Sequence, residues 1–141
     1  MKYIFLNTYN ALILCFLTGT LVAFSQNNTH WEAESFIVSI NDIDVAITSN
    51  LSKQNGIFTW EQISNLSSQS TQYEITSTTG NWDAQLNIGS ISYMLTTEDN
   101  TNATLTIRGI TEELTMHLII YDASGHLLKD YIFIIENFTN L

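Results

Sequence analysis

The chain has 141 residues, of which 14 are acidic and 4 are basic, and its formal net charge at pH 7 is −10. Nucleic acid is a very poor candidate partner, because a phosphate backbone is bound by clusters of cations that this chain does not have. The same shortage of lysine and arginine disfavours attraction to anionic lipid headgroups.

The first 25 residues have the pattern of a secretory signal peptide. Lys2 provides a positive charge, and an apolar run covers 11–22. Ala23 and Ser25 are small residues at the two positions by which a signal peptidase recognises its cleavage site. The run is shorter than the ~20 residues that cross a bilayer, which favours a cleaved signal over an anchor. We expect cleavage before Gln26 and export to the bacterial periplasm or beyond the cell.

The mature chain, 26–141, is predicted to be one domain without a transmembrane segment. Its length is ordinary for a single hydrophobic core. The only cysteine, Cys15, lies in the signal segment. The mature domain is therefore expected to have no disulfide and no cysteine-ligated metal, and to be stabilised by core burial alone.

Period-two alternation of apolar and polar residues dominates the mature sequence and predicts strands. Gly89 and Ser90 are expected to form a two-residue hairpin turn, and Asn55 with Gly56 another break. The polar tract 61–70 is expected to be a loop or one short helix. The runs that indicate strands are 43–47, 57–60, 73–75, 82–88, 91–95, 103–107, 114–120 and 128–135.

About eight strands at short spacing predict an all-β fold, either an antiparallel β-barrel or, as the alternative, a two-sheet β-sandwich. The segment 131–135 is apolar on both faces. It is expected to be either a central strand covered on two sides or an edge strand that needs a partner.

The sequence 105–118 is the most informative hairpin of the chain. Leu105 and Ile107 are predicted to point inward with Met116 and Leu118 of the returning strand, while Arg108 points outward. Residues 105–111 have the sequence Leu-Thr-Ile-Arg-Gly-Ile-Thr and are followed by an alternating apolar strand. This pattern resembles the signature hairpin of the YceI-like polyisoprenoid-binding proteins of bacteria.

This resemblance implies a lipocalin-like antiparallel barrel that holds an isoprenoid or another lipid-like molecule by apolar burial. Such a barrel needs no cofactor and catalyses no reaction. An eight-stranded barrel is the size that is either filled by side chains or holds one small ligand. An alternative function is an immunoglobulin-like adhesion or assembly module that pairs strands through 131–135. The side chains expected to face the ligand are Leu86, Ile88, Tyr93, Leu105, Ile107, Met116 and Leu118.

No motif in the sequence indicates catalysis, and we expect a protein that is not an enzyme. No serine lies in a glycine-flanked elbow. Asp42 and Asp44 lack the glycine and distal glutamate of a calcium loop. The three histidines, His30, His117 and His126, show no metal-ligand spacing, so neither a catalytic nor a metal site is predicted.

Overall fold

The computed structural model describes residues 30–111 and 113–141, and the predicted signal peptide lies outside these residues. The described part contains strands and turns and no helix, which confirms the all-β prediction. The strands are β1 (Trp31–Ile40), β2 (Ile43–Gln54), β3 (Ile57–Ile63), β4 (Ser68–Asp83), β5 (Ile88–Thr96), β6 (Asn102–Ile110), β7 (Glu113–Tyr121), β8 (Leu127–Ile134) and β9 (Asn137–Asn140).

Eight antiparallel strands close into a barrel, as predicted, and the alternative two-sheet sandwich is not formed. Consecutive strands pair from β1 through β8, and β8 returns to pair with β1. Strand β9 lies outside this circuit and pairs only with the first half of β1, where Trp31 faces Asn140. We call the end of the barrel where β1 starts the lower end.

Tight turns between the strands fit the right-handed twist of the sheet. Asn41 and Asp42 both have positive φ, 50° and 64°, and so do Asn55 and Gly56, at 51° and 79°. Two central residues with positive φ are typical of type I′ turns, for which asparagine and glycine are favoured. The break predicted at Asn55–Gly56 is thus confirmed as a hairpin turn between β2 and β3.

Irregularities in two strands help the sheet to curve. The register of β1 shifts between Ser35 and Ile37, and that of β4 shifts between Ile75 and Ser77. A bulge increases the local twist and bends the strand. Strand β4 can therefore pair with β3 in its first half and with β5 in its second.

The structure corrects three local predictions. The run 82–88 is not one strand, because β4 ends at Asp83 and 84–87 form the turn to β5. Gly89 and Ser90 accordingly lie within β5 and are paired with β6, not in a turn. The tract 61–70 is neither loop nor helix throughout, since it includes the end of β3 and the start of β4.

The doubly apolar segment 131–135 is not an edge strand. Tyr131 and Phe133 of β8 point into the barrel and are buried, whereas Ile132 and Ile134 point outward. Both edges of β8 are hydrogen-bonded, one to β7 and the other to β1. The segment therefore offers no free edge for the strand pairing on which the alternative assembly function rested.

Candidate functional site

The interior of the barrel brings together five of the seven residues predicted to contact a ligand. Tyr93, Leu105, Ile107, Met116 and Leu118 all point inward and are at most 2% exposed. Leu105 pairs with Leu118 and Ile107 with Met116, as the hairpin pattern predicted. These neighbouring side chains form a continuous apolar wall across β5, β6 and β7.

The other two predicted residues do not face the interior. Leu86 is 67% exposed and Ile88 is 39% exposed. The carboxylate of Asp83 accepts hydrogen bonds from the backbone N–H groups of Gln85 and Leu86, at 2.9 and 3.0 Å, which holds Leu86 in the turn. An Asx-type bond of this kind competes with strand pairing. The alternation that placed Leu86 and Ile88 inward ends at Asp83.

Aromatic side chains fill the middle of the barrel. Trp60 reaches from β3 towards β8, where its ring contacts Tyr131 and Phe133 at centroid distances of 4.8 and 5.2 Å in edge-on geometry. Its indole N–H donates to Ser49 Oγ at 3.2 Å, so the polar atom of this buried ring is satisfied. The interior at this level is a packed core, as small barrels allow.

A second aromatic group closes the lower end. Phe138 of β9 lies between Trp31 and Trp82, with centroid distances of 5.8 and 6.0 Å. Trp31 in turn contacts Phe58 at 6.1 Å. We call Trp31, Trp82 and Phe138 the lower aromatic cluster. One of its three rings is carried by a strand of only four residues.

Polar contacts hold β9 against the β4–β5 turn. The side-chain amide of Asn140 donates to the carbonyl oxygen of Ala84 at 2.7 Å and to Asn87 Oδ1 at 2.8 Å. The turn itself crosses the inward face of Gly109, where a Cβ would lie 1.9 Å from the Asn87 carbonyl oxygen. Only glycine leaves room for this close approach of two backbone segments.

Lys53 is a charged residue inside the lower half of the barrel. It occupies the inward side of β2 after Ser49 and Leu51, and it is 7% exposed. It pairs with Trp31 on one side and with Phe58 on the other. Its Nζ lies 5.8 Å from the centroid of the Tyr93 ring, which favours the ammonium form through the negative face of the ring. Burial nevertheless lowers the pKa of Lys53.

A small cavity of about 70 Å³ opens beside Lys53 at the lower end. By the same measure one water needs about 10–15 Å³, so a small polar group fits. Besides Lys53, the lining includes His30, Trp31, Glu32 and Leu141.

The indole N–H of Trp31, a residue that is only 2% exposed, lies towards the Tyr93 hydroxyl, whose pKa it lowers, but it makes no hydrogen bond of full geometry with a described residue. The cavity wall therefore carries two buried donors, the Lys53 amine and the Trp31 indole N–H.

Two tyrosine hydroxyls near this region stay protonated well into the alkaline range. Burial raises the pKa of Tyr73 to about 12, with contributions from the nearby Tyr131 and Asp99. Burial also raises the pKa of Tyr93, and the neighbouring Trp31 indole opposes this rise. Both tyrosines are therefore neutral at pH 7, and Lys53 is the one basic side chain among the buried residues that the structure describes.

Sequence reasoning did not identify Lys53, Trp31 or Phe138 as site residues. Lys53 had a signal, because Ile47, Ser49, Leu51 and Lys53 continue one alternating stripe. No signal in the sequence indicated Trp31 or Phe138, because their contact depends on β9 folding back along β1. His117 also has a partner that the sequence did not indicate, Asp130 Oδ1 at 2.5 Å on the outer face.

No group of three or more histidine, cysteine, aspartate or glutamate side chains within residues 30–111 and 113–141 is arranged to hold a metal ion. In the same part of the chain, no helix is long and apolar enough to cross a membrane.

No family model, no curated protein and no solved structure matches the chain. The resemblance of the 105–118 hairpin to the YceI-like proteins therefore stays a prediction.

Proposed function

We propose that the protein is a non-catalytic binding barrel that acts after export and takes up one apolar molecule, an isoprenoid or another lipid-like compound, through its lower end. The observation that carries this proposal is an apolar interior enclosed by eight strands and closed below by a ring from a four-residue strand. No group in this interior needs to make or break a bond for such a role.

The energetics of uptake favour entry at the lower end over the middle of the barrel. Trp60, Tyr131 and Phe133 are held between fully paired strands, so displacing them disrupts the core. Strand β9 pairs with β1 alone, through four residues. An alkyl chain that replaces Phe138 beside Trp31 and Trp82 gains about 0.8 kcal/mol for each CH₂ removed from water.

Binding of dodecan-1-ol tests this proposal, because the alcohol has an apolar chain and no charge. We expect saturable binding to one site. Stopped-flow tryptophan fluorescence measures the rate of binding, through the change at Trp31 and Trp82 above the signal of Trp60 in the core. The Phe138→Ala variant is expected to bind faster, about tenfold if the ring contributes about 1.4 kcal/mol to closing the lower end.

The control is Phe36→Ala, which removes a ring that is 48% exposed on the outer side of β1. Its binding rate is expected to equal that of the wild type. If neither the wild type nor Phe138→Ala binds the alcohol saturably, the proposed function is wrong.

A further inference from the structure

We propose that two copies of the chain pair through the free edge of β2, residues 43–47, at the upper end of the barrel, where β1 ends and β2 begins. The two edges run antiparallel around a two-fold axis at Val45, so that both barrels share one continuous sheet. This inference goes beyond the proposed function and does not depend on it, since the pairing does not involve the lower end.

Residues 43–47 have a free edge because β3 is too short to cover them. Strand β2 has 12 residues and β3 has 7, and the pairing of the two strands begins only at Thr48, opposite Ile63. On the other side, 43–46 pair with β1. Within 30–111 and 113–141, no third strand pairs with this part of β2. An uncovered strand edge is a template for another strand.

The turn at 41–42 determines which backbone groups this edge offers. In a two-residue hairpin the flanking residues, here Ile40 and Ile43, form a hydrogen-bonded pair. Because the direction of the hydrogen bonds alternates along a strand, the N–H and C=O groups of Asp44 and Ala46 point away from β1. Two copies that meet at this edge can therefore exchange both backbone hydrogen bonds between Asp44 of each copy and Ala46 of the other.

The side chains of this edge are complementary to a second copy of the same edge. With Val45 on the two-fold axis, Ile43 of one copy lies opposite Ile47 of the other, and Asp44 lies opposite Ala46. Ile43 is 67% exposed and Val45 is 37% exposed, so this pairing removes apolar surface from water. A pairing centred on Asp44 would place two carboxylates directly opposite each other, which is unfavourable. The sequence of the edge thus favours one register, centred on Val45.

Charge and size limit the strength of this contact. Each copy has a formal net charge of −10 at pH 7, and Asp44 of one copy lies diagonally across the axis from Asp44 of the other. Salt screens the repulsion between exposed charges of this kind. A contact made by one short strand of each copy is small, and small contacts are typical of weak, reversible association. We therefore expect a weak dimer that added salt strengthens.

Disulfide cross-linking tests the register, in a Cys15→Ser background that leaves the introduced thiol as the only one of the chain. Val45→Cys places two thiols at a non-hydrogen-bonded pair, whose Cα atoms lie about 4.5 Å apart, within the range for a disulfide. Ile43→Cys is the matched control, since this position is more exposed but its two copies lie about 13 Å apart along the strands. On oxidation with diamide, Val45→Cys is expected to form the cross-linked dimer about tenfold faster than Ile43→Cys.

A proline at the free edge tests the backbone pairing. Ala46→Pro removes an N–H group that points away from β1, so the β1–β2 pairing stays intact. We expect this substitution to bring the cross-linking rate of Val45→Cys down to that of Ile43→Cys, with an unchanged far-ultraviolet circular dichroism spectrum.

Sedimentation velocity measures the association of the unmodified chain. The mean mass is expected to rise towards that of a dimer as the protein concentration approaches about 1 mM, and to rise further in about 0.5 M salt. Asp44→Asn is expected to lower the dissociation constant about threefold, because it removes the two carboxylates nearest the axis. Glu113→Gln removes the same charge at the exposed start of β7 and is expected to have a smaller effect.

The outcomes decide the inference without reference to any ligand. Val45→Cys that cross-links no faster than Ile43→Cys overturns it, as does a chain that stays monomeric over the whole concentration range. Cross-linking at Val45 that persists in a folded Ala46→Pro variant also overturns it. If Ala46→Pro does not fold, the comparison of the two cysteine variants decides alone. None of these results changes the standing of the proposed binding function.

Discussion

Replacing Phe133 with alanine is expected to lower the free energy of unfolding by about 3–5 kcal/mol, the range for deleting a fully buried aromatic ring. Phe133 is 0% exposed and contacts Trp60 from β8 towards β3. The strands around it are paired on both edges, so the backbone has little freedom to collapse into the space that the ring leaves. Urea unfolding monitored by far-ultraviolet circular dichroism measures the loss.

Phe36→Ala is the matched control for this prediction. The same atoms are removed, but Phe36 is 48% exposed at the bulge of β1. Its loss is expected to cost about 1 kcal/mol or less, in proportion to the area that it buries. Equal losses for the two variants would mean that the aromatic interior does not support the barrel.

Replacing Gly109 with alanine is expected to cost about 1–3 kcal/mol, because the added Cβ overpacks a close backbone contact. That Cβ would lie 1.9 Å from the carbonyl oxygen of Asn87 and 3.0 Å from Cη2 of Trp82. Since the nearer atom belongs to the backbone, the β4–β5 turn must move away from β6. This movement also pulls Asn87 from the side chain of Asn140.

Two measurements check this account of Gly109. Chemical denaturation gives the stability, and amide hydrogen exchange is expected to show less protection in β9 and the β4–β5 turn than in the middle strands. Arg108→Ala, at the neighbouring outward position, is expected to change the stability by less than about 0.5 kcal/mol. A Gly109→Ala variant as stable as the wild type contradicts the close packing of the turn on β6.

The parts of the fold that could be predicted are those in which local alternation and pairing agree. The stripes 91–95, 103–107 and 114–120 lie on consecutive strands joined by short connections. Their inward residues, such as Leu105 and Met116, could therefore be read directly from the sequence. Strand number and spacing predicted either a barrel or a two-sheet sandwich, and the resemblance of the 105–118 hairpin to the YceI-like proteins favoured the barrel.

The parts that could not be predicted are of two kinds. In some, the set of alternating residues that face inward shifts along the strand or ends; the others depend on contacts between distant segments. In β1, the inward stripe Trp31, Ala33, Ser35 shifts at the bulge before it continues at Val38. A period-two pattern is lost at such a shift. In the β4–β5 turn, Leu86 keeps the alternating pattern although Asp83 has already ended the strand.

The contacts at the lower end could not be predicted because they join segments that are distant in the sequence. Phe138 meets Trp82, 56 positions away in the chain, only because β9 pairs with the first half of β1. Nothing within either segment indicates this contact. The buried lysine is a different case, because its position on the inward stripe of β2 was visible in the sequence and went unused.

The most direct test of the proposed binding function is to locate the chain of bound dodecan-1-ol by nuclear Overhauser effects to ¹³C-labelled methionine methyl groups. Met116 is 0% exposed on the inward side of β7, and Met94 is 47% exposed on the outer side of β5. Met116→Leu, which nearly conserves volume, assigns the interior signal. We expect contacts from the alkyl chain to the methyl group of Met116 and none to that of Met94. Contacts to Met94 alone, or to neither, would show that no ligand enters the barrel.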